Sequence, residues 1–256
     1  MKQTPIKATA KRLAIFFVVL AFSPNEEAVY ANSFQVSPIR INLVPSESST
    51  LLTVQNEAKE KLRVQVSVSA WGENNSGAMV FAPTEDIIFY PTLLTLNPGE
   101  QRNIRVGTKN AVVDKEKSYR IFIEELPSQV KSTSTGVRLL TRMSVPIFIR
   151  PAKTEARPRI EQMVLRAPEF SFELKNSGNA HFQPRQIVVR GAGANGETVL
   201  ERKIPGWYVL AGGTRHYQID VPKGDCVKIN DLSVELDFEG NSVKERFVPS
   251  PNACTR

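Results

Sequence analysis

The chain has 256 residues, of which 41% are hydrophobic and 23% charged, with a formal net charge of +7. This is the composition of a globular protein, and it excludes disordered and fibrous classes. A Cys/His zinc site of three or four ligands would need nearly all of the two cysteines and two histidines, so the sequence predicts no structural metal.

The first 31 residues have the pattern of a secretory signal peptide. The basic residues at its start are Lys2, Lys7, Lys11 and Arg12. An apolar run follows at 13–22, and residues 29–31 offer small side chains for cleavage after Ala31. The run is too short to span a bilayer, and no later stretch approaches the roughly 18 apolar residues of a membrane helix. We therefore expect a protein outside the cytoplasm with no stable membrane insertion.

The charge that remains after cleavage is small. Residues 1–31 contain four basic and two acidic side chains, so the rest of the chain keeps 29 basic and 24 acidic residues, or about +5. The lysines and arginines are scattered through the chain and do not form one stripe. This distribution predicts no nucleic-acid partner.

Residues 32–256 read as strands almost throughout. Residues 62–70 alternate strictly between apolar and polar side chains, which is typical of a strand with one face in a core. Further strands are predicted at 87–90, 101–107, 119–126, 137–150, 170–175, 186–190, 198–204, 214–221, 232–238 and 243–248. Frequent turns between about fourteen short strands indicate two β-sandwiches of about seven strands each. The proline-containing link at 150–154 divides them into domains 32–150 and 151–256.

Candidate catalytic groups are few. A GxGxxG spacing at 191–196 lies between two predicted strands and lacks the helix that would receive a phosphate, so we interpret it as a hairpin loop. His181 and His216 lie in separate segments without a nucleophile elbow. The sequence therefore predicts no enzyme and no cofactor.

The two cysteines, Cys226 and Cys254, fall in the same half of the chain. In a secreted protein an even number of cysteines favours a disulfide over two free thiols.

Two segments carry a resemblance to a known family. The sequence SYRIFIEELP at 118–127 is followed by a predicted strand that ends VPIFIRP at 145–151. The pair resembles the last two strands of the first domain of periplasmic pilus-assembly chaperones. Further matches are SPIR at 37–40, PGEQ at 98–101, IRV at 104–106, NSGNAH at 176–181 and WYVL at 207–210. The form YRIFIEELP is similar to the archaic, or alternative, branch of chaperone-usher systems.

The resemblance implies two immunoglobulin-like domains in an L or boomerang arrangement. In this family, the last strand of the first domain fills the groove of an incomplete pilus subunit by β-strand addition. The residues of that donor strand that share one face are Val137, Leu139, Thr141, Met143 and Val145. We expect Val137, Leu139 and Met143 to contact the subunit. The alternative is an ordinary core strand, and a bulge could change which side chains face outward.

The resemblance also implies a basic pair that holds the carboxylate at the C-terminus of the subunit. Arg40 matches the arginine of that pair, although an ordinary surface charge is the alternative. Pro146 occupies the position of the partner lysine. Arg120 and Arg142 are the candidates to replace it, unless the carboxylate is held differently. An arginine suits this role because its planar fork can donate two charge-assisted hydrogen bonds to one carboxylate.

A further implied feature is an interdomain salt-bridge network. Arg150 matches the family's arginine at the end of the donor strand, and Glu116 and Asp231 are the expected acidic partners. Exposed pairs contribute only about 0–1 kcal/mol, so the effect of this network depends on its burial.

Together these features predict a non-enzymatic periplasmic chaperone whose partners are pilus subunits and an outer-membrane usher. Whether the unbound protein self-associates is left open. The alternative from another class is an immunoglobulin-like adhesive or structural module of a surface fibre. Such a module would need no basic cleft. A secreted hydrolase, the third possibility, would need a triad or acid pair that the sequence does not assemble.

Overall fold

The computed structural model describes residues 34–74, 77–127 and 139–254. The predicted signal peptide and Val137 lie outside these residues. The described chain is almost entirely β, which confirms the predicted fold class.

The first sandwich contains ten strands. They are β1 (Phe34–Ser37), β2 (Ile41–Leu43), β3 (Ser49–Asn56), β4 (Leu62–Glu73), β5 (Met79–Ala82), β6 (Ile87–Tyr90), β7 (Leu93–Leu96), β8 (Gln101–Thr108), β9 (Lys117–Glu125) and β10 (Arg142–Ile149). One sheet has the order β1-β3-β8-β6, and the other has the order β2-β10-β9-β4-β5, with β7 also paired to β4.

The core of this sandwich follows from the alternation in its strands. Leu62, Val64 and Val66 of β4 are buried, as the period of two predicts, and β9 directs Ile121 and Ile123 into the same core. The two inner faces therefore pack against each other and leave the opposite face of each sheet outside.

The second sandwich contains the remaining elements. They are β11 (Pro158–Arg166), β12 (Glu169–Asn176), β13 (Gln186–Ala192), β14 (Thr198–Pro205), β15 (Thr214–Asp220), the short helix α1 (Lys223–Cys226), β16 (Asp231–Phe238) and β17 (Asn241–Phe247). Strands β11-β12-β15 form one sheet and β14-β13-β16-β17 the other. A disulfide joins Cys226 to Cys254, which confirms the predicted pairing.

The elements that sequence patterns did not single out are β1, β2, β3, β5, β7 and β11. Most of them are short. In β5 all four residues are apolar and exposed, so this strand has no polar–apolar alternation. The strand predicted over 137–150 also differs in extent, since β10 begins at Arg142 and not at residue 137. Residues 139–141 precede it without strand structure.

A small third cluster joins the two sandwiches. Trp71 of β4 and Phe148 of β10 pack against Leu210 and Tyr208 of the second sandwich. The junction is thus partly apolar, and the charged groups described below surround it.

Candidate binding site at a free strand edge

One half of β10 is paired on one side only. Along its whole length β10 pairs with β9, from Arg142 opposite Glu124 to Ile149 opposite Lys117. On its other side β10 pairs with β2, but only through residues 147–149. Within the described chain, the stretch 142–146 therefore has a free edge.

The hydrogen-bond pattern identifies the backbone groups at this edge. The N–H of Glu125 donates to the carbonyl of Thr141. The odd-numbered residues of β10 are therefore the ones whose backbone N–H and C=O groups form hydrogen-bonded pairs with β9. Even-numbered residues direct their N–H and C=O the other way. The N–H of Arg150, for example, donates to Leu43 on the β2 side. The backbone groups of Arg142 and Ser144 consequently face the free edge. Pro146 has no N–H to offer.

Side chains of the predicted donor strand divide between core and solvent. Val145 is buried in the core of the first sandwich, and Met143 packs against that core in a half-buried position. Thr141 is also half-buried, whereas 82% of Leu139 is exposed. The structure thus places Leu139 on the surface and gives Met143 contacts within its own sandwich.

Arg40 lies immediately before β2, at the end of the free edge. Ile41 of β2 is level with Ile147 of β10 in the parallel ladder, and Arg40 is the residue directly before Ile41. Ile41 is buried in the core, whereas Arg40 is exposed.

Arg120 is buried and lies on the side of β10 away from β2. Its position on β9 is opposite Pro146. Only 7% of Arg120 is exposed. Its guanidinium lies 4.2 Å from the centre of the Trp71 ring, and Nη1 donates to the hydroxyl of Ser144 at 3.1 Å.

The charge of Arg120 has no acidic partner among the described residues. Its Nε and Nη2 atoms are buried and form no hydrogen bond there, and neither does Nε1 of Trp71. Burial lowers the pKa of the Arg120 guanidinium. Leaving a charge buried and unpaired is costly. Three N–H donors in one cluster therefore lack an acceptor.

Arg142 differs from Arg120 in having its own carboxylate. Its guanidinium lies 4.3 Å from the centre of the Phe122 ring, much as Arg120 lies over Trp71. However, Nε of Arg142 is 2.7 Å from Oε1 of Glu124, and the side chain is largely exposed. Of the two candidate replacements for the missing lysine, Arg120 is the one whose guanidinium keeps N–H groups without an acceptor.

The predicted interdomain network is partly assembled. Glu116, whose side chain is fully buried, lies 3.4 Å from Nε of Arg150. The structure adds a partner that the sequence did not indicate, because Oε1 of Glu116 accepts from the backbone N–H of His181 and lies 2.7 Å from Nδ1 of that residue. The imidazole stacks on Phe148. Glu116 therefore links the two sandwiches through His181.

Asp231 is not brought to this network. Its carboxylate pairs with Arg246, 2.9 Å away, on the neighbouring strand β17 of the second sandwich. Arg246 is opposite Ser233, two residues from Asp231 on β16, so this ion pair is a diagonal contact within one sheet.

A second interdomain ion pair joins Glu73 at the end of β4 to Arg215 of β15. Nη1 of Arg215 donates to Oε1 of Glu73 at 3.1 Å and to the carbonyl of Gly77 at 3.3 Å. The Glu73 side chain is only 4% exposed, and burial raises its pKa although Arg215 opposes the shift. No sequence pattern indicated this pair.

No helix in the described residues has the length and apolar character needed to cross a membrane. The same residues contain no group of three or more His, Cys, Asp or Glu side chains that could hold a metal ion.

Comparisons with known proteins find a sequence family and solved structures of similar fold. Residues 33–155 match the family described as pili and flagellar-assembly chaperone, PapD N-terminal domain. No curated protein matches the chain in sequence.

Solved structures of similar fold include two chaperone–subunit complexes and a free chaperone. The CsuC–CsuE complex, from the archaic Csu pili of Acinetobacter baumannii, has a TM-score of 0.58 at 19% identity and covers 86% of this chain and 100% of that one. The class 5 fimbriae chaperone CfaA has a TM-score of 0.56 at 15% identity, with 85% and 100% covered. The Salmonella enterica complex of the SafA pilin with the SafB chaperone has a TM-score of 0.54 at 15% identity, with 84% and 96% covered. At these identities the likeness concerns the fold.

Proposed function

We propose that this chain, whose residues 33–155 match the family of pili and flagellar-assembly chaperones, captures pilus subunits in the periplasm by donating the free edge of β10. The subunit would then pass to an outer-membrane usher. We assign the chain to the archaic branch on its YRIFIEELP segment at 118–127. The periplasmic location rests on the secretory pattern of residues 1–31.

The observation that carries the proposal is the free edge itself. Arg142 and Ser144 present unpaired N–H and C=O groups, and a subunit strand could hydrogen-bond to them as it would to a neighbour in a sheet. Leu139, just before β10, is an exposed apolar side chain. We propose that Leu139 enters a pocket of the bound subunit and that Met143 lies at the boundary between subunit and core. When no subunit is bound, the same edge is available to a second copy of the chain.

Arg40 and Arg120 are the proposed anchor for the terminal carboxylate of the subunit. Arg120 is opposite Pro146 on β9, Arg40 directly precedes β2 on the other side of β10, and two nitrogens of Arg120, Nε and Nη2, have no acceptor. A carboxylate can accept from two arginines at once, and such charge-assisted bonds are about twice as strong as neutral ones. An adhesive module of a fibre would have no reason to keep a buried guanidinium without an acid.

The test places proline at two neighbouring positions of β10. Arg142→Pro removes an N–H that faces the free edge, whereas Met143→Pro removes one that pairs with β9. We expect Arg142→Pro to weaken subunit capture about tenfold or more, because a main-chain hydrogen bond contributes about 0.5–1.5 kcal/mol and the ring also obstructs the approaching strand. Its melting temperature should change little. Met143→Pro should instead lower the melting temperature.

Capture is measured as the subunit that co-purifies with the protein from the periplasm, identified by mass spectrometry. Arg142→Ala is the matched control, since it removes the same side chain and keeps the N–H, and it should cost less than about threefold. Full capture by Arg142→Pro would show that the subunit does not pair with this edge. Sedimentation of the unbound protein tests self-association.

A further inference from the structure

Both sandwiches contain the same turn, in which a buried asparagine at the end of a strand bonds to the backbone of the loop that follows. Asn56 ends β3, its Nδ2 donates to the carbonyl of Glu60 at 2.8 Å, and its Oδ1 accepts from the N–H of Ala58 at 2.9 Å. Asn176 ends β12 and makes the same two bonds, to backbone groups four and two residues further along, at the same distances. The two turns therefore share one local geometry, and any difference between them must come from their surroundings.

The turn of the second sandwich bonds to the linker, residues 150–157, which carries the chain from β10 to β11. The N–H of Asn179 donates to the carbonyl of Glu155 at 2.9 Å. The side-chain Oδ1 of Asn179 accepts from the N–H of Glu155 at 2.8 Å, and its Nδ2 donates to the carbonyl of Lys153 at 2.9 Å. One asparagine of the second sandwich thus makes three hydrogen bonds to the linker.

The same asparagine also bonds to the first sandwich. The N–H of Glu116, just before β9, donates to the carbonyl of Asn179 at 2.9 Å, and Nδ2 of Asn179 donates to the carbonyl of Asp114 at 3.3 Å. The corresponding position of the other turn, three residues after Asn56, is Lys59, which is exposed. The turn itself therefore does not require an asparagine there, and Asn179 is explained by its contacts with the linker and the first sandwich.

Gly178 allows the linker to come this close. A Cβ atom at residue 178 would lie 2.1 Å from the carbonyl oxygen of Glu155 and 2.8 Å from the backbone nitrogen of Arg157, which leaves no room for a side chain. The turn itself accepts a side chain, because Ala58 occupies the corresponding position of the first turn and makes the same bond to Asn56. Gly178 also does not have a positive φ. The glycine is therefore explained by the close approach of the linker backbone.

The linker continues the strand whose free edge is proposed to bind the subunit. β10 ends at Ile149, and the N–H of the next residue, Arg150, donates to Leu43 of β2. The bonds to Asn179 follow from Lys153 onward. The chain that leaves β10 is thus held first by β2 and then by the second sandwich. A strand that is held in position before binding loses less conformational entropy when it pairs with a partner.

We infer that the segment 176–181, here called the latch loop, fastens the linker and the start of β9 to the second sandwich and so holds the free edge of β10 in the position from which it captures a subunit. Gly178 and Asn179 are positioning residues in this arrangement, because they act through the linker and not on the subunit. The role in capture rests on the proposed function of β10, whereas the latch loop can be tested in the unbound protein.

Opening of the latch loop is measured by hydrogen exchange of the Glu116 backbone N–H in the purified protein, followed by NMR. This N–H bonds to Asn179, and its sequence neighbours are the same in all variants, so its exchange rates compare directly. Gly178→Ala should raise the rate at least tenfold, while the amides of β13 and β16 keep their wild-type rates. Gly224→Ala is the matched control, because a Cβ atom at residue 224 meets no atom within 4 Å. It should leave all of these rates unchanged.

Two substitutions of Asn179 separate its bonds and do not depend on Gly178. Asn179→Ala removes every side-chain bond of this residue, whereas Asn179→Asp keeps an acceptor for the N–H of Glu155 and loses the donors to Asp114 and Lys153. We expect faster Glu116 exchange in both variants, with the larger increase in Asn179→Ala. An Asn179→Asp variant that exchanges as slowly as wild type would show that the donors of Asn179 do not hold the latch loop.

Capture is measured as co-purified subunit per folded protein, with Arg142→Pro as the reference for a blocked edge. Gly178→Ala and Asn179→Ala should each reduce capture at least fivefold, and Gly224→Ala should capture as wild type does. A purely structural role would instead lower the melting temperature and the protection of β13 and β16, while the protein that remains folded would capture normally.

The outcomes distinguish the latch loop from the proposed function. Wild-type exchange of Glu116 in both Gly178→Ala and Asn179→Ala would overturn the latch loop itself. Faster exchange with undiminished capture would overturn its role in positioning β10. A wild-type protein that captures no subunit would overturn the proposed function, and with it the role of the latch loop in capture, without altering what the exchange rates show about the junction.

Discussion

The two sandwiches differ in what they leave on their surfaces. Of the fifteen large exposed hydrophobic side chains in the described residues, eleven belong to the first sandwich and four to the second. The first also contains the buried arginine without an acid. The second contains the disulfide. Contiguous exposed apolar patches mark interaction sites, whereas single exposed apolar side chains are ordinary. The first sandwich has consecutive exposed apolar residues at 79–81 in β5 and at 139–140 before β10, and no such run occurs among the four of the second.

Their edge strands show the same contrast. On the second sandwich, β17 exposes Lys244, Glu245 and Arg246, and the edge strand β11 is interrupted by a bulge between Glu161 and Val164. Charges and bulges of this kind prevent unwanted pairing with other strands. On the first sandwich, β5 exposes four uncharged residues and half of β10 has a free edge. A sheet edge that pairs with a strand of another protein cannot carry charges and bulges that prevent such pairing.

The largest effect that would test this contrast is the loss of Arg120. Arg120→Met should reduce capture by about 2–5 kcal/mol, the usual cost of removing one partner from a desolvated charge pair. Free protein should be as stable as wild type or more stable, because an unpaired buried charge is replaced by an apolar side chain. Binding is measured by subunit co-purification and stability by thermal melting.

The control for Arg120→Met is Arg142→Met, on the same face of the sheet. Arg142 is exposed and already paired with Glu124, so its removal should cost less than about 1 kcal/mol. Equal losses from the two variants would contradict the distinction between them.

The disulfide should have the second largest effect, on the second sandwich. Cys226 and Cys254 are 28 residues apart, and closing a loop of that length contributes about 3–4 kcal/mol in the chain-entropy model. The double substitution to serine should therefore lower the melting transition of the second sandwich. Hydrogen exchange, followed by strand, shows where protection is lost. If β4, β9 and β10 lost protection before β13 and β16, the result would contradict the prediction that the disulfide stabilises the second sandwich.

Sequence patterns predicted the parts of the fold that repeat locally. The alternation in β4 and the turn residues between strands were sufficient for the fold class, since a period of two needs no knowledge of distant residues. Arg40 and Arg120 were also named, but through a resemblance. The sequence alone could not show that Arg120 is buried and without an acid.

The junction was not predictable in the same way. Glu73 and Arg215 are 142 residues apart, and Glu116 and His181 are 65 apart. Such pairs depend on how the two sandwiches pack against each other, and a periodic pattern in the sequence carries no information about that packing. Asp231 illustrates the same limit, because its actual partner Arg246 is fixed by the register of β16 on β17. His181, which the sequence analysis named as a candidate catalytic group and as part of the NSGNAH segment, forms a contact between the sandwiches.

A smaller effect is expected from substitutions at and just before the start of β10, where the side chains change from exposed to buried. Leu139→Asn should leave the melting temperature within about 3 °C of wild type, because Leu139 is exposed, yet it should weaken capture if the side chain enters a subunit pocket. A fully buried side chain of this size contributes roughly 1.5–3 kcal/mol. Met143→Asn should lower both quantities, since Met143 packs against the core. Unchanged capture by Leu139→Asn would place residue 139 outside the interface.

The smallest effect is expected at Asp231, and it distinguishes an ion pair within one sheet from the pair that joins the sandwiches. The Arg246 side chain is 73% exposed, so solvent screens its attraction to Asp231, and such pairs contribute about 0–1 kcal/mol. Asp231→Asn should therefore shift the melting temperature by no more than a few degrees and leave capture intact. Glu116→Gln is the comparison, because Glu116 is fully buried between Arg150 and His181 and its loss leaves their polar groups without a charged acceptor. The melting temperatures of the two variants, measured under the same conditions, give the difference in stability. If Asp231→Asn destabilised the protein as much as Glu116→Gln, the ion pair on β16 would contribute to the junction after all.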